Sequence, residues 1–299
     1  MIIKNLFEEA ERIIADESIL NRSEDFQRQY EIIHSRKWDR VTSEPDIINS
    51  LFVQAASYSV VRKYFKILYP EDIWLLDKHY GTRFFKPKLV PKLNYDEWVD
   101  AVLTWGNVLL KEEHVPQAKT LESLVSQLKK ARGDDWNSYS KKPRSRIILS
   151  LATALPIIKK EVLNNPSAFL DKLDALSTNN PGKAFNYAAT CSKGVIGMGD
   201  ALVCNFLKEL GLLYYVKVDV HVSDFMDTIA LCNKLNNKDA FIMSWLLARE
   251  AGIKPFFLDK ILYVGGKYTK PQFMRLFDRY KAQYILSINS LVSQIPEYR

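Results

Sequence analysis

The sequence predicts a mostly α-helical protein, and three observations predict it. Apolar residues recur at three- and four-residue spacing through most of the chain. Gly, Pro, Asn and Asp clusters interrupt that pattern at intervals that suit helices. Alternation with period two is nearly absent: the run from Tyr214 to Val222 is the one strand-like piece, and an isolated strand is rarely stable.

Taken in order, the spacing predicts helices over 2–16, 46–68, 95–112, 118–131, 145–162 and 166–176. A further helix over roughly 184–193 ends at Gly194, and others follow over 200–210, 223–236, 238–251 and 271–294. The expected breaks are Glu44-Pro45-Asp46, Tyr69-Pro70, Gly133-Asp134-Asp135, Asn180-Pro181-Gly182 and Gly265-Gly266. Two segments read as loops. "RFFKPKLVPK", from Arg83, interleaves aromatics, cations and prolines, and "KKARGDDWNSYSKKPRSR", from Lys129, is polar and basic with Trp136 and Tyr139. Each is either a solvated connector or a phosphate-contacting edge whose aromatics stack on bases.

Composition narrows the class. A chain of 299 residues, 47% hydrophobic and 26% charged, is that of a globular protein with enough length for a large core. Apolar runs such as "RIILSLATALPII" are too short to span a bilayer, and "MIIKNLFEEAERII" lacks the order of a signal peptide. Three cysteines, Cys191, Cys204 and Cys232, give no even disulfide framework and no four-thiolate cluster. A cytoplasmic protein without a metal cofactor is therefore expected. His34, His79 and His114 are scattered, with no metal-ligand spacing, and Trp38 and Trp105 read as core. The net charge of +7 favours an anionic partner. The chain carries no P-loop, dinucleotide fingerprint or nucleophile elbow.

The chemistry concentrates in "KGVIGMGDALVCNFLKELGLLYYVKVDVHVSDF", Lys193 to Phe225. Gly197 and Gly199 bracket Met198 between two helices. Lacking Cβ atoms, they can adopt left-handed conformations and let N–H groups converge on an anion. The helix from Asp200 points its N-terminal N–H groups the same way. Leu202, Val203, Phe206, Leu207 and Leu210 form its apolar face, Gly211 is placed to end it, and Met198 should pack inward. Asp219 follows Gly199 by twenty residues and lies between Val218 and Val220, with His221 next. It is either a helix N-cap or a carboxylate held in a partly desolvated place for catalysis.

The order helix, "VIGMG", helix, "KVDVHV" resembles the helix-hairpin-helix DNA glycosylase superfamily, whose signature is a Leu-Pro-Gly-Val-Gly-type hairpin followed by a catalytic Asp in a Val-Asp-Thr/Val-His-Val/Ile-type sequence; Ile196 stands here where the family usually has the proline. The match covers roughly residues 190–225. Gly197, Met198 and Gly199 fall on the hairpin and Asp219 on the catalytic Asp. "DIINSLFVQAASYSVVRKYFKILY", 46–69, is similar to the family's early helix near DNA, with Gln54 its nearest equivalent there; 145–162 is the alternative. "FFLDKILYVGGKY" is similar to a helix that closes the second lobe. The resemblance implies one two-lobed helical unit over 1–299, an insertion around 77–145, and the hairpin with its Asp at about 184–225. It implies a monomer acting on double-stranded DNA, and it permits a monovalent cation at the hairpin carbonyls.

The implied mechanism is hydrolysis of an N-glycosidic bond of a flipped base, with Asp219 stabilising the oxocarbenium-like sugar and activating water. Gly197 and Gly199 N–H groups with Lys193 and Lys208 would grip the phosphates. Ala201 stands where members that also cleave the strand carry a lysine, so an intact strand with an abasic site is the expected product. The same chemistry serves either base excision repair or defence against modified phage DNA. From another class, the chain would be a non-catalytic helix-hairpin-helix module that binds duplex backbone, or a helical interaction protein. Asp219 at the family's spacing argues against the binding module, which has no use for a desolvated carboxylate near phosphates.

Overall fold

The structure is a computed structural model that describes residues 2–21, 23–55, 93–218, 222, 223, 225 and 236–294. Among these residues the fold is all-α, and no strand forms. The helices in chain order are α1 (Ile2–Leu20), α2 (Glu24–Ser35), α3 (Glu44–Ala55), α4 (Tyr95–Glu112), α5 (Leu121–Arg132), α6 (Trp136–Tyr139) and α7 (Pro143–Ile158). They continue as α8 (Pro166–Asn179), α9 (Pro181–Lys193), α10 (Asp200–Glu209), α11 (Asn237–Ala251), α12 (Pro255–Tyr268) and α13 (Lys270–Val292). The segments 83–92 and 226–235, and with them most of the helix expected over 223–236, lie outside the described residues, as does Tyr69-Pro70.

Local chemistry explains where the helices begin. Asn94 caps α4: its Oδ1 accepts from Glu97 N at 3.0 Å while Glu97 Oε2 accepts from Asn94 N at 2.7 Å. Thr120 and Ser123 form the same reciprocal pair at α5. The helix α2 was absent from the periodicity, because "EDFQRQYEIIHS" is too polar to show a long apolar stripe. Ser23 caps it, accepting from Phe26 N at 3.3 Å, and Glu24 and Asp25 suit its positive end.

Three expectations are corrected. Glu44-Pro45-Asp46 is not a break but the first turn of α3, where proline is tolerated. Gly265-Gly266 lies inside α12 instead of breaking it. A Cβ on Gly265 would stand 2.4 Å from the Phe273 ring, so glycine there is a close-packing site for α13. The supposed loop from Lys129 is largely helical, through the end of α5, a 3-10 turn at Gly133–Asp135, α6 and the start of α7. Tyr139 within it is buried under the Arg132 guanidinium, 4.2 Å from its ring centre, and so is not exposed to stack on a base.

The chain divides into two compact units, one of residues 1–40, 172–187 and 211–299, the other of residues 41–171 and 188–210. In the first, α1 packs along α13, and α2 packs on α12. Phe7, Phe241, Phe256, Phe277 and Tyr284 are fully buried there; each such ring contributes about 1.5–3 kcal/mol by leaving water. Tyr215 and Val216, in the run expected to be strand-like, are buried in this core without strand pairing. In the second unit α7 is the central helix, touched by α3, α4 and α5. Ile147, Leu149, Leu151 and Leu155 on it are fully buried, and Phe52 of α3 meets Trp98 of α4 at 4.9 Å. Pro156 lies near the end of α7, and one π turn over Lys159–Leu163 continues the chain beyond it.

Candidate nucleic-acid interface

The hairpin between α9 and α10 lies within the second unit. The helix α9 ends at Lys193, and its last turn closes through Gly194 N to Cys191 O at 3.1 Å and Val195 N to Ser192 O at 3.1 Å. Met198 packs inward at 3% exposure, while Gly197 and Gly199 stay at the surface. Lys193 is exposed beside them.

The two glycines have different reasons to be there. Gly197 has φ +78°, a left-handed conformation that a side chain resists. A Cβ on it would also lie 2.5 Å from Arg146 Cγ and 2.9 Å from Ser150 Oγ. Its requirement is therefore internal: the hairpin rests directly on α7. Gly199 is not left-handed. With φ −79° and ψ 175° it is extended, it is the N-cap of α10, and a Cβ on it would meet nothing within 4 Å. The protein's own packing does not need a glycine at 199.

Beyond Gly199, α10 begins with no side chain capping its first N–H groups. Asp200, the first residue of α10, is half-buried. Its Oδ1 lies 2.5 Å from Ser192 Oγ, which holds the carboxylate back against the end of α9. Gly211, at φ +96°, ends the helix as expected, and Arg40 Cα would be 2.7 Å from a Cβ there. On α10, burial and the nearby Asp200 push the Cys204 thiol far up, so it is no nucleophile at neutral pH.

Two expected contacts are not at the surface. Lys208 is 4% exposed, with Nζ 4.0 Å from Glu209 Oε1, which removes its ammonium from a phosphate-facing edge. Gln54 is 5% exposed, and its Oε1 accepts from Asn205 Nδ2 at 2.6 Å, tying α3 to α10. Asp219 lies outside the described residues, as do Val220 and His221. The chain on either side of it is buried, at Val216 and Val218 before it and Val222 after it. Lys217 is half-buried.

The sequence reading missed what α7 does for the hairpin. Arg146, Ser150, Thr153 and Ile157 form one stripe at spacings of four, three and four. Arg146 lies against Gly197, Ser150 and Thr153 bond the backbone of Ile196, and Ile157 Cδ1 would be 3.0 Å from a Cβ on Gly194. The signal was present as two hydroxyls in an otherwise apolar run, "RIILSLATALPII". Of the two stretches similar to an early helix, 145–162 touches the hairpin, while residues 56–69 of the other lie outside the described residues.

Among the described residues no cluster of three or more His, Cys, Asp or Glu is arranged to hold a metal. Among them, too, no helix is long and apolar enough to cross a membrane. No family model, curated protein or solved structure matches the chain.

Proposed function

We propose that the protein is a monofunctional DNA glycosylase that hydrolyses the N-glycosidic bond of a flipped, damaged or modified base. The observation that carries this reading is Gly199. It stands exposed at the uncapped start of α10 with open space where a side chain would be. Glycine suits this N-cap, and the open space it leaves lets something outside the fold come close. A phosphate backbone fits, since the adjacent N–H groups and the helix dipole favour an anion. Lys193, exposed beside the hairpin, supplies a cation at the same edge in place of the buried Lys208, and the chain's net charge of +7 favours the same partner.

In this reading Asp219 is the catalytic carboxylate. The buried Val218 and Val222 support a low-dielectric setting, in which a negative charge stabilises a developing sugar cation more strongly than in water. Asp219 also takes a proton from the attacking water, whose oxygen bonds the sugar carbon as the base departs. No step needs an ion at the hairpin carbonyls. Ile196 O accepts from Ser150 Oγ, and Val195 O accepts from Met198 N. The helical Ala201 cannot form a Schiff base, so the strand remains intact. We infer a monomer acting on duplex DNA in the cytoplasm.

The test is a panel of duplexes carrying different modified bases, followed by hot alkali. Wild-type protein should create alkali-labile sites in at least one duplex, with no adduct trapped by borohydride. Asp219→Asn should lower base release by two or more orders of magnitude, matching a loss of about 3 kcal/mol or more, while binding persists. Near wild-type release by the Asn variant would make Asp219 a structural cap. Binding without release from any duplex would leave the chain a backbone-binding module.

A further inference from the structure

The two sides of Ile196 are held by different hydroxyls of α7. Ile196 N donates to Thr153 Oγ1 at 3.0 Å, and Ile196 O accepts from Ser150 Oγ at 2.5 Å. Thr153 spends its own hydrogen on its helix, with Oγ1 donating to Leu149 O at 2.7 Å. Its lone pairs are thereby turned away from α7 and toward the hairpin amide. Ser150 is fully buried, so its hydroxyl hydrogen has a fixed protein partner instead of water. Gly197, the next residue, lies in the left-handed conformation against Arg146 and Ser150. Three residues later α10 begins. The direction in which α10 presents its first N–H groups is thus set by how the Ile196 backbone is held.

We propose that Ser150 and Thr153 are positioning residues: they clamp the Ile196 backbone onto α7 and preorganise the hairpin for its anionic partner. The inference rests on the DNA-binding reading for its purpose, but the clamp itself is a property of the free protein. Preorganisation matters because a hairpin ordered only on binding would lose affinity to the cost of ordering. From Ile147 to Ile158 every residue of α7 apart from these two is apolar, which makes the two hydroxyls specific. An alanine or valine would satisfy the helix equally well and leave the Ile196 groups unmet.

The test uses the full chain and three variants, Thr153→Val, Thr153→Ser and Ser150→Ala, each read in two ways. Amide hydrogen exchange reports hairpin opening in the free protein, and duplex DNA titrations at several salt concentrations report the grip. Thr153→Val keeps the side-chain shape and removes the acceptor. It should raise exchange at Ile196 to Ala201 by roughly tenfold or more while the rest of α7 stays protected. It should also weaken duplex binding by roughly tenfold and flatten the salt slope by about one phosphate. Ser150→Ala should do the same, and Thr153→Ser, which keeps the oxygen, should restore both. Hairpin exchange unchanged in Thr153→Val, or faster exchange with unchanged affinity and salt slope, would overturn the proposal. A wild-type protein that binds no duplex, with exchange still responding to Thr153→Val but not to Thr153→Ser, would overturn the glycosylase reading and leave the clamp standing.

Discussion

Gly197 and Gly199 stand two residues apart and separate two kinds of constraint. At Gly197 both the positive φ and the contacts with Arg146 and Ser150 oppose a side chain. Gly197→Ala should therefore destabilise the fold by roughly 2 kcal/mol in denaturant unfolding. Gly199 has an ordinary extended backbone and open space, so Gly199→Val should cost only the loss of a favourable N-cap, about 1 kcal/mol, and stay folded. It should nevertheless lose duplex binding, because the added methyls occupy the proposed path of the phosphate. Normal binding by a folded Gly199→Val protein would remove the hairpin from the interface. At this scale the sequence was only partly legible. The inward Met198 and the terminating Gly211 follow from residue type alone. The burial of Lys208 and Gln54 does not, because it depends on which neighbours close over them: Asn205 for Gln54, and the packed end of α10 for Lys208.

Between elements, the clearest electrostatic joint fastens α2 to α12. Lys267 Nζ donates to Asp25 Oδ2 at 2.7 Å and approaches Tyr263 Oη at 2.6 Å, and the Tyr268 hydroxyl donates to the same Asp25 oxygen. Burial pushes the Asp25 carboxyl up, but the hydrogen bonds from Lys267 and Tyr268 and the charge of Lys267 outweigh it and hold the group below its usual range. A depressed carboxylate adds stability above its unfolded pKa and loses it as pH falls through the folded one. Asp25→Asn should therefore cost about 1 kcal/mol at neutral pH, and the two proteins should converge in acid below about pH 4. Equal stability of both proteins at pH 7 would show the joint to be idle. On the alkaline side, burial and then Asp25 raise Tyr268 to about 12, so its share is present below the ordinary tyrosine range and fades as pH climbs toward that value. Helices such as α4 and α11 were legible because caps and apolar spacing agree. The polar α2 was hidden, and Tyr214 to Val218 imitated a strand because a buried coil also selects apolar residues.

For the whole molecule, a charge of +7 makes any duplex binding a salt-dependent equilibrium. If the hairpin edge meets about four phosphates, affinity should fall roughly a hundredfold between about 50 and 200 mM salt. Flat affinity across that range would mean a contact made without the backbone. The all-helical class was legible at this scale because periodicity accumulates over many helices. The division into units was not, because each is assembled from separated stretches of chain.

The pairing of α1 with α13 also bears on how the protein is made. Leu6, Phe7 and Ile14 of α1 are buried, and α13, the helix that packs along it, is translated much later. About 250 residues separate them, so at about 5–20 residues per second α1 must wait on the order of 12–50 seconds for its partner. Residues 41–210 contain every segment of the other unit and can condense during that interval. The hairpin platform is thus complete before α13 is made, and until then α1 has only its nearer neighbours, beginning with α2, to cover its apolar face.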